Sequence, residues 1–410
     1  MEYGCIGERL VHSFSKEIHN ALDSYPYELC EVTRDGLDAF MTQRDFKAIN
    51  VTIPYKEKVL PHLSWIDEAA KEIGAVNTVV NRDGKLYGYN TDFYGMRELI
   101  RHAGVTLDGK KVAILGTGGT AKTARAVAGS LGASLILTVS RTPKAGEISY
   151  DELYRTHSDT EVIINTTPCG MFPNIFTSAV DISGFGKLTG VIDAVYNPLR
   201  TTLVLDANER GIPAEGGLYM LVAQAVRASE IFLDVKYGED VTEKIYEKIL
   251  KQKESVVLTG MPASGKSTVG AILARELSRE LVDTDELIIK RIGMPISEYF
   301  QKYGEGEFRE RECEVIRELA PQAGLVIATG GGAPLRAENV RNLKRNGRVF
   351  FIDRPLESLV PTADRPLALD RAAIEKRYTE RYDIYCKTAD VRVDADSDAL
   401  TVAKRIGGTE

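Results

Sequence analysis

The sequence predicts an α/β protein built on parallel sheets with helices on both faces. Three observations carry this expectation. Short apolar runs alternate with stretches of helical periodicity along the chain. Two of these runs end in glycine-rich turns, at residues 116–121 and 260–267, each opening a helix-forming stretch. The two turns follow different patterns, so the chain is expected to hold two kinds of phosphate ligand.

The runs at 111–115, 135–139, 162–165, 191–193, 256–259, 325–328 and 349–352 read as buried strands. Residues 234–254 are polar and rich in Lys and Glu, with Val241, Ile245, Ile249 and Leu250 at helical spacing. They predict a terminal helix that ends in a short linker, 251–254, with the major boundary near residue 252. A length of 410 residues fits two to three domains.

Composition is that of an ordinary globular protein, 43% hydrophobic and 27% charged. The net charge of −7 gives no case for nucleic acid, and residues 251–410 carry equal numbers of acidic and basic side chains. Cys5, Cys30, Cys169, Cys313 and Cys386 are dispersed, which argues for reduced thiols rather than disulfides or zinc. No signal-peptide core and no apolar run of about 18 residues is present, so a cytoplasmic protein away from membranes is expected.

Gly116-Thr117-Gly118-Gly119-Thr120-Ala121 fits the dinucleotide pattern, placed between a strand and a helix. The next strand ends in Ser140-Arg141-Thr142. An NAD site would put an acid there for the ribose; an arginine suits a 2′-phosphate, so NADP is favoured. The alternative for Arg141 is a solvated loop residue. Upstream, Lys56 follows a short apolar run and a proline, where a strand should give way to a helix. Asp92 lies in what reads as a loop of small polar residues. A Lys–Asp pair can hold a carbonyl or hydroxyl and handle its proton during hydride transfer.

Around these residues stand Gly7, His12, Ser13, Phe14 and Ser15, then NVTIPYKE (50–57), GAVNTVVN (74–81), GYNTDF (88–93), SRTP (140–143), NTTPCGMF (165–172) and EGGLYMLVAQAVR (215–227). In this order they resemble the shikimate dehydrogenases over nearly all of the first 250 residues. The resemblance implies that Ser13, Ser15, Thr52, Asn77, Tyr196 and Gln224, with Asp92, hold the substrate's hydroxyls and carboxylate. Lys56 would be the acid/base, paired with Asp92. Gly116, Thr117, Gly118, Gly119 and Thr120, with Ser140, Arg141 and Thr142, would hold NADP(H), and Ala194 and Gly217 would border the nicotinamide. Two departures stand out: Lys16 where the family has proline, at the expected entrance to the substrate pocket, and Ala194 where a bulkier residue is common.

The second turn, GMPASGKS at 260–267, matches the nucleoside-triphosphate loop in full. Its backbone, with Ala263, Ser264, Gly265 and Thr268, would cradle ATP phosphates. Lys266 would reach the β/γ-phosphates and Ser267 would bind Mg²⁺. Asp283 and Asp285 share a face if extended, one near the metal and one near an acceptor; the alternative is a cap for a helix starting at Glu286. By composition Arg309 reads as solvated. The triple glycine 330–332 after a buried strand suggests close backbone approach to a small ligand.

With DTDELI (283–288), FRERE (308–312), ATGGGAP (328–334), ADRPLA (363–368) and ERYDIY (380–385), this half resembles the shikimate kinases over about 253–408. The resemblance implies Asp285 as the group that orients or deprotonates the acceptor hydroxyl. Arg309 and Arg381 would clamp a carboxylate, Gly331 would lie against the ring, Asp283 would act through Mg²⁺, and Arg365 would reach ATP phosphate. The lid segment 359–370 is shorter than is typical and lacks an arginine a few residues before Asp364, which predicts a slower kinase or looser ATP binding.

The domain expectation is a substrate-binding domain at 1–95 completed by helices from about 218–250, an NADP-binding Rossmann domain at 96–217, and a P-loop kinase domain at 253–410 with a parallel sheet. The functional expectation is one chain that reduces 3-dehydroshikimate with NADPH and phosphorylates the shikimate formed with ATP. A homodimer is the assembly carried forward. Quinate for the first half, or another small polyol for the second, is the second reading. A metabolite sensor built from inactive copies is the third, and the presence of Lys56, Asp92, Lys266 and Asp285 speaks against it.

Overall fold

The computed structural model describes residues 1–10, 14–22, 25–359 and 371–408. Ser13, Arg365 and the lid segment from residue 360 on lie outside the described residues. The chain divides into two compact units, Met1–Leu250 and Lys251–Glu410. Among the described residues no helix is long and apolar enough to cross a membrane.

The first unit holds two six-stranded sheets. The first contains β1 (Tyr3–Gly7), β2 (Glu28–Glu31), β3 (Ala48–Val51), β4 (Trp65–Ile66), β5 (Thr78–Arg82) and β6 (Lys85–Tyr89), in the order β2-β1-β3-β5-β6-β4. It is mixed rather than parallel, because β5 runs antiparallel to both β3 and β6. The cause is local: Asp83 and Gly84 between β5 and β6 both take positive φ, 52° and 78°. That is the two-residue turn whose twist matches a hairpin, and Asp-Gly is among the pairs that favour it.

The second sheet contains β7 (Lys111–Leu115), β8 (Leu135–Ser140), β9 (Ile148–Ser149), β10 (Val162–Asn165), β11 (Gly190–Asp193) and β12 (Ala214–Glu215). Its order is β12-β11-β10-β7-β8-β9, and every pairing is parallel. Alternate residues of one strand enter two cores. Val112 and Ile114 pack with Ala124 and Val127 of the helix Gly119–Ser130, whereas Ala113 and Leu115 pack with Leu153 and Leu203 on the other face. Both faces are covered, which is why these strands read as unbroken apolar runs.

The helices Thr91–His102 and Leu218–Leu233 pack on each other. Gly95 makes the crossing close, since a Cβ there would stand 2.6 Å from the Met220 carbonyl oxygen. The terminal helix Val241–Lys253 runs through most of the expected linker, with Lys251 and Lys253 in its last turn, where cations complement the helix dipole.

The second unit has one parallel sheet: β13 (Ser255–Thr259), β14 (Leu281–Asp283), β15 (Val326–Ala328), β16 (Gly347–Asp353) and β17 (Val391–Asp394), ordered β14-β15-β13-β16-β17. β13 is central and leads into the second phosphate loop.

One buried charge bears on stability. Asp193, at the end of β11, is fully buried and accepts from Asn165 Nδ2 at 2.9 Å, Val195 N at 3.0 Å and Thr201 Oγ1 at 2.6 Å. Burial outweighs these donors and pushes its carboxyl up to about 6. The folded-state value lies above the unfolded one, so this group's contribution is greatest below pH ~4 and is lost as pH rises through about 6. Urea unfolding of the full chain from pH 4 to 7 should therefore show wild-type stability falling with pH relative to Asp193→Asn. A flat difference would refute the assignment.

Two candidate active sites

The first site is a cavity of about 560 Å³ between the sheets of the first unit, lined by residues that include Ser15, Thr52, Lys56, Asp92, Thr120, Ala194, Tyr196, Gly217 and Gln224. Lys56 Nζ donates to Asp92 Oδ2 at 2.6 Å, with both side chains largely shielded from solvent. Neither sits in the local structure expected. Lys56 lies in a turn between β3 and the 3-10 helix Leu60–His62, not at a helix start. Asp92 lies in the first turn of the helix Thr91–His102, not in a loop, because the Asn90 side chain caps that helix by accepting from Phe93 N at 3.2 Å.

Asn77 stands behind the pair rather than on the cavity wall. Its Nδ2 donates to Asp92 Oδ1 at 2.9 Å and to Thr91 Oγ1 at 3.0 Å. Its Oδ1 accepts from Thr91 N at 2.8 Å. Asn50 Nδ2 donates in turn to the Asn77 carbonyl at 3.3 Å, and Tyr27 Oη donates to Asn50 Oδ1 at 2.7 Å. A buried amide chain thus fixes the carboxylate that holds the lysine. Sequence reading missed Asn50, Thr91 and Tyr27 in this role; the first two lie inside quoted motifs. Gln224 reaches the network too, accepting from Thr91 Oγ1 at 3.3 Å. Arg9, Cys5 and Met220 also line the cavity and were not foreseen. Lys16 is exposed and is not among the lining residues.

The first phosphate loop lies beside this cavity. Gly116 has φ 107°, and a Cβ there would come within 2.9 Å of Thr166 Oγ1. Gly118 and Gly119 instead face open space, where a Cβ would meet no atom within 4 Å. Gly118 precedes the helix Gly119–Ser130, and no side chain caps it. The N–H groups of that first turn are left for a ligand, and the dipole favours an anion. Gly217 is required on the cavity wall, where a Cβ would lie 2.2 Å from the Ala194 carbonyl oxygen. Ser140 is buried at the end of β8, Arg141 beside it is exposed, and Thr142 N donates to Ser140 Oγ at 3.3 Å. These residues fit a nucleotide carrying a phosphate at its ribose.

The second site is a cavity of about 320 Å³ lined by residues that include Ser267, Asp283, Asp285, Arg309, Glu312, Gly331 and Arg381. Asp283 and Asp285 do not share an extended run: Asp283 ends β14, but the helix starts at Thr284, two residues earlier than expected, and Asp283 caps it by accepting from Asp285 N at 3.0 Å. Its other oxygen accepts from Ser267 Oγ at 2.7 Å. Capping and metal-side placement are therefore compatible in one carboxylate.

Arg309 is buried, not solvated, and donates to Glu312 Oε2 at 2.8 Å and Glu305 Oε1 at 2.9 Å. Gly304, at φ 83° and ψ 169°, breaks the helix Ile296–Leu319 just before this segment. Glu312 is fully buried, and burial raises its carboxyl above the usual range while Arg309 pulls it down. Its spacing of three from Arg309 was the available sign of this pair.

The triple glycine approaches side chains, not only a ligand. A Cβ on Gly330 would meet Asp285 Oδ1 at 2.6 Å, one on Gly331 would meet Pro262 at 3.1 Å, and one on Gly332 would meet Arg309 Nη1 at 2.0 Å. The Gly331 carbonyl accepts from Arg381 Nη1 at 3.3 Å and from Tyr385 Oη.

The loop before Lys266 has the backbone that phosphate cradles require: φ is 144° at Gly260, 66° at Ala263 and 94° at Gly265. No side chain caps the helix Lys266–Glu276. Ser264 Oγ is buried without a hydrogen-bond partner. Thr268 is exposed in the first turn. Lys266 Nζ donates to the carbonyls of Gly260 and Met261 at 2.9 and 2.8 Å. These residues fit a nucleoside triphosphate. Among the described residues no group of three or more His, Cys, Asp or Glu could hold a metal; Mg²⁺ bound by a hydroxyl, one carboxylate and substrate phosphates needs none.

Comparisons with known proteins agree with this division. Residues 5–79 match the family model described as shikimate dehydrogenase substrate binding domain, and residues 262–408 the one described as shikimate kinase. Shikimate dehydrogenase (NADP(+)) of Clostridium perfringens is 40% identical over 271 residues, covering 60% of this chain and 97% of that protein. The crystal structure of shikimate dehydrogenase 1 from Peptoclostridium difficile is 34% identical with a TM-score of 0.56, covering 61% of this chain and 98% of that one. That of shikimate 5-dehydrogenase from Thermus thermophilus, in complex with NADP(H) and shikimate, is 25% identical with a TM-score of 0.55, covering 60% and 99%. The chain belongs to the shikimate dehydrogenase family, and a shikimate kinase domain follows in the same polypeptide.

Proposed function

We propose that this chain carries out two successive steps: reduction of 3-dehydroshikimate to shikimate by NADPH, then phosphorylation of shikimate by ATP to shikimate 3-phosphate. The observation that carries the reading is the coexistence of two built sites. One has a shielded Lys56–Asp92 pair beside a dinucleotide loop; the other has Asp285, Arg309 and Arg381 beside a triphosphate loop. The domain assignment follows: substrate binding by 1–95 with the helices of 218–250, NADP binding by 96–217, and phosphoryl transfer by 253–410.

In the first site NADPH supplies the hydride. Lys56 donates a proton to the oxygen of the reduced carbonyl, and Asp92 keeps the ammonium aimed. Ser15, Thr52, Tyr196 and Gln224, with Ser13, bind the remaining hydroxyls and the carboxylate, and Asn77 holds Asp92 from behind. Gly116 to Thr120 hold the pyrophosphate on uncapped N–H groups, Arg141 with Ser140 and Thr142 holds the 2′-phosphate, and Ala194 and Gly217 border the nicotinamide. In the second site ATP supplies the phosphoryl group. Asp285 takes the acceptor's proton, and Arg309 and Arg381 clamp its carboxylate. Gly331 lies against the ring, and Ala263 to Thr268 cradle the phosphates. Ser267 binds Mg²⁺, with Asp283 acting from behind it, and Arg365 reaches the phosphates. The proposed setting is the cytoplasm, with a homodimer as the assembly, which sedimentation equilibrium would test.

The two half-reactions separate by mutation. Lys56→Ala should lower 3-dehydroshikimate reduction by about a thousandfold and leave shikimate-dependent ADP formation intact. Lys266→Ala should do the reverse. Either variant retaining its own activity contradicts the site assignment. Cofactor choice gives a second test. Arg141→Gln should raise KM for NADPH by roughly tenfold and leave KM for NADH unchanged, because only the 2′-phosphate loses its cation. Equal changes for both nucleotides would rule out that role.

A further inference from the structure

The C-terminal end of β16 lies against the second phosphate loop. β16 pairs with β13 so that Thr259 stands opposite Phe351, and a Cβ on Gly260 would lie 2.7 Å from the Ile352 carbonyl oxygen. Asp353 and Arg354 come next, and their charges are engaged differently. Asp353 is buried and accepts from Arg392 Nε at 2.6 Å and Tyr382 Oη at 3.1 Å. Arg354 has no ion-pair partner among the described residues, and its Nε is buried without a hydrogen bond.

The Arg354 guanidinium lies over the loop. Its Nη1 is 3.6 Å from where a Cβ would stand on Gly265, the residue that precedes the uncapped helix Lys266–Glu276. A planar fork of donors without an anion, beside N–H groups without a cap, matches phosphate oxygens in geometry and charge. Lys266 does not fill this place, since its ammonium is turned onto the loop's own carbonyls at Gly260 and Met261. The lid segment, in turn, has no arginine in the residues just before Asp364.

We propose that Arg354 binds the β-phosphate of ATP and the oxygen that bridges it to the γ-phosphate. The inference rests on the kinase reading above. In the transfer, the acceptor hydroxyl oxygen bonds to the γ-phosphorus as the bond from that phosphorus to the bridging oxygen breaks. The hydroxyl proton passes to Asp285, and the electron pair remains on the bridging oxygen of ADP. Arg354 faces the charge that gathers there from the end of β16, while Lys266 reaches the phosphates from the loop.

The test uses the full chain with Arg354→Gln and Arg354→Lys. Equilibrium titration with a fluorescent ADP gives affinity, and steady-state assays give kcat and KM for ATP and shikimate. Arg354→Gln should weaken ADP at least about tenfold and lower kcat/KM for ATP by about 100-fold, with KM for shikimate within about twofold of wild type. Arg354→Lys should recover part of the ADP affinity and less of kcat, because a point charge replaces the fork. NADPH-linked reduction in the same samples should stay at the wild-type rate. Wild-type ADP affinity and kcat/KM for ATP in Arg354→Gln would overturn the proposal. A parallel loss of shikimate binding would also overturn it, since that marks a structural role. A wild-type chain that forms no ADP from ATP and shikimate would overturn the kinase reading instead, and the ADP titration would still decide the role of Arg354.

Discussion

Both sites depend on one constraint: the first backbone N–H groups of a helix cannot be satisfied within that helix. Most helices here that follow a strand closely meet this with a side chain, as Asp283 does for the Thr284 helix and Ser149 for the helix Tyr150–Thr156. Three do not: the helices at Gly119, Leu218 and Lys266 begin with glycine at the cap and no capping side chain. The Gly119 and Lys266 helices each lie at the C-terminal edge of a parallel sheet, after the central strands β7 and β13. An uncapped end costs stability unless an anion or water takes those donors, so these two ends are where function displaces local optimisation.

Around each anion cradle the chain builds a different reaction. In the first unit the chemistry requires one proton, and a lysine is held by a carboxylate whose second oxygen is committed to Asn77. That commitment leaves Asp92 little freedom to turn away from Lys56. In the reaction proposed for the second unit, Asp285 as proton acceptor sits beside arginines that recognise an anion. Asp285 and Arg309 are kept apart by the backbone of Gly330 and Gly332, and any side chain at those glycines would collide with them. Glu312 sets the guanidinium of Arg309 from below at 2.8 Å. The shared intermediate explains why one chain would carry both: the hydroxyl formed at the first site is the acceptor at the second.

Much of this was legible in the sequence because it depends on short-range patterns. The seven strand runs, both glycine turns and the residues of each motif follow from apolar periodicity and local backbone demands. What escaped depends on distant contacts. Asp92 read as a loop residue because its helix is set by the Asn90 cap, and Arg309 read as solvated because its burial comes from Glu312 and Gly332 together. The antiparallel β5–β6 pair was missed although Asp83-Gly84 announces it; the surrounding alternation pointed to parallel strands throughout. Tyr27 and Asn50 carried no local sign of their link to Asp92, since that link exists only when β2, β1, β3 and β5 are assembled.

The central claim is that one chain holds two independent nucleotide sites of different kinds. Equilibrium dialysis of the full chain with NADP⁺ and ADP tests it most directly. The account predicts one NADP⁺ and one ADP bound per chain, each saturating fully while the other is present in excess. Mutual displacement, or saturation by only one of the two nucleotides, would contradict it.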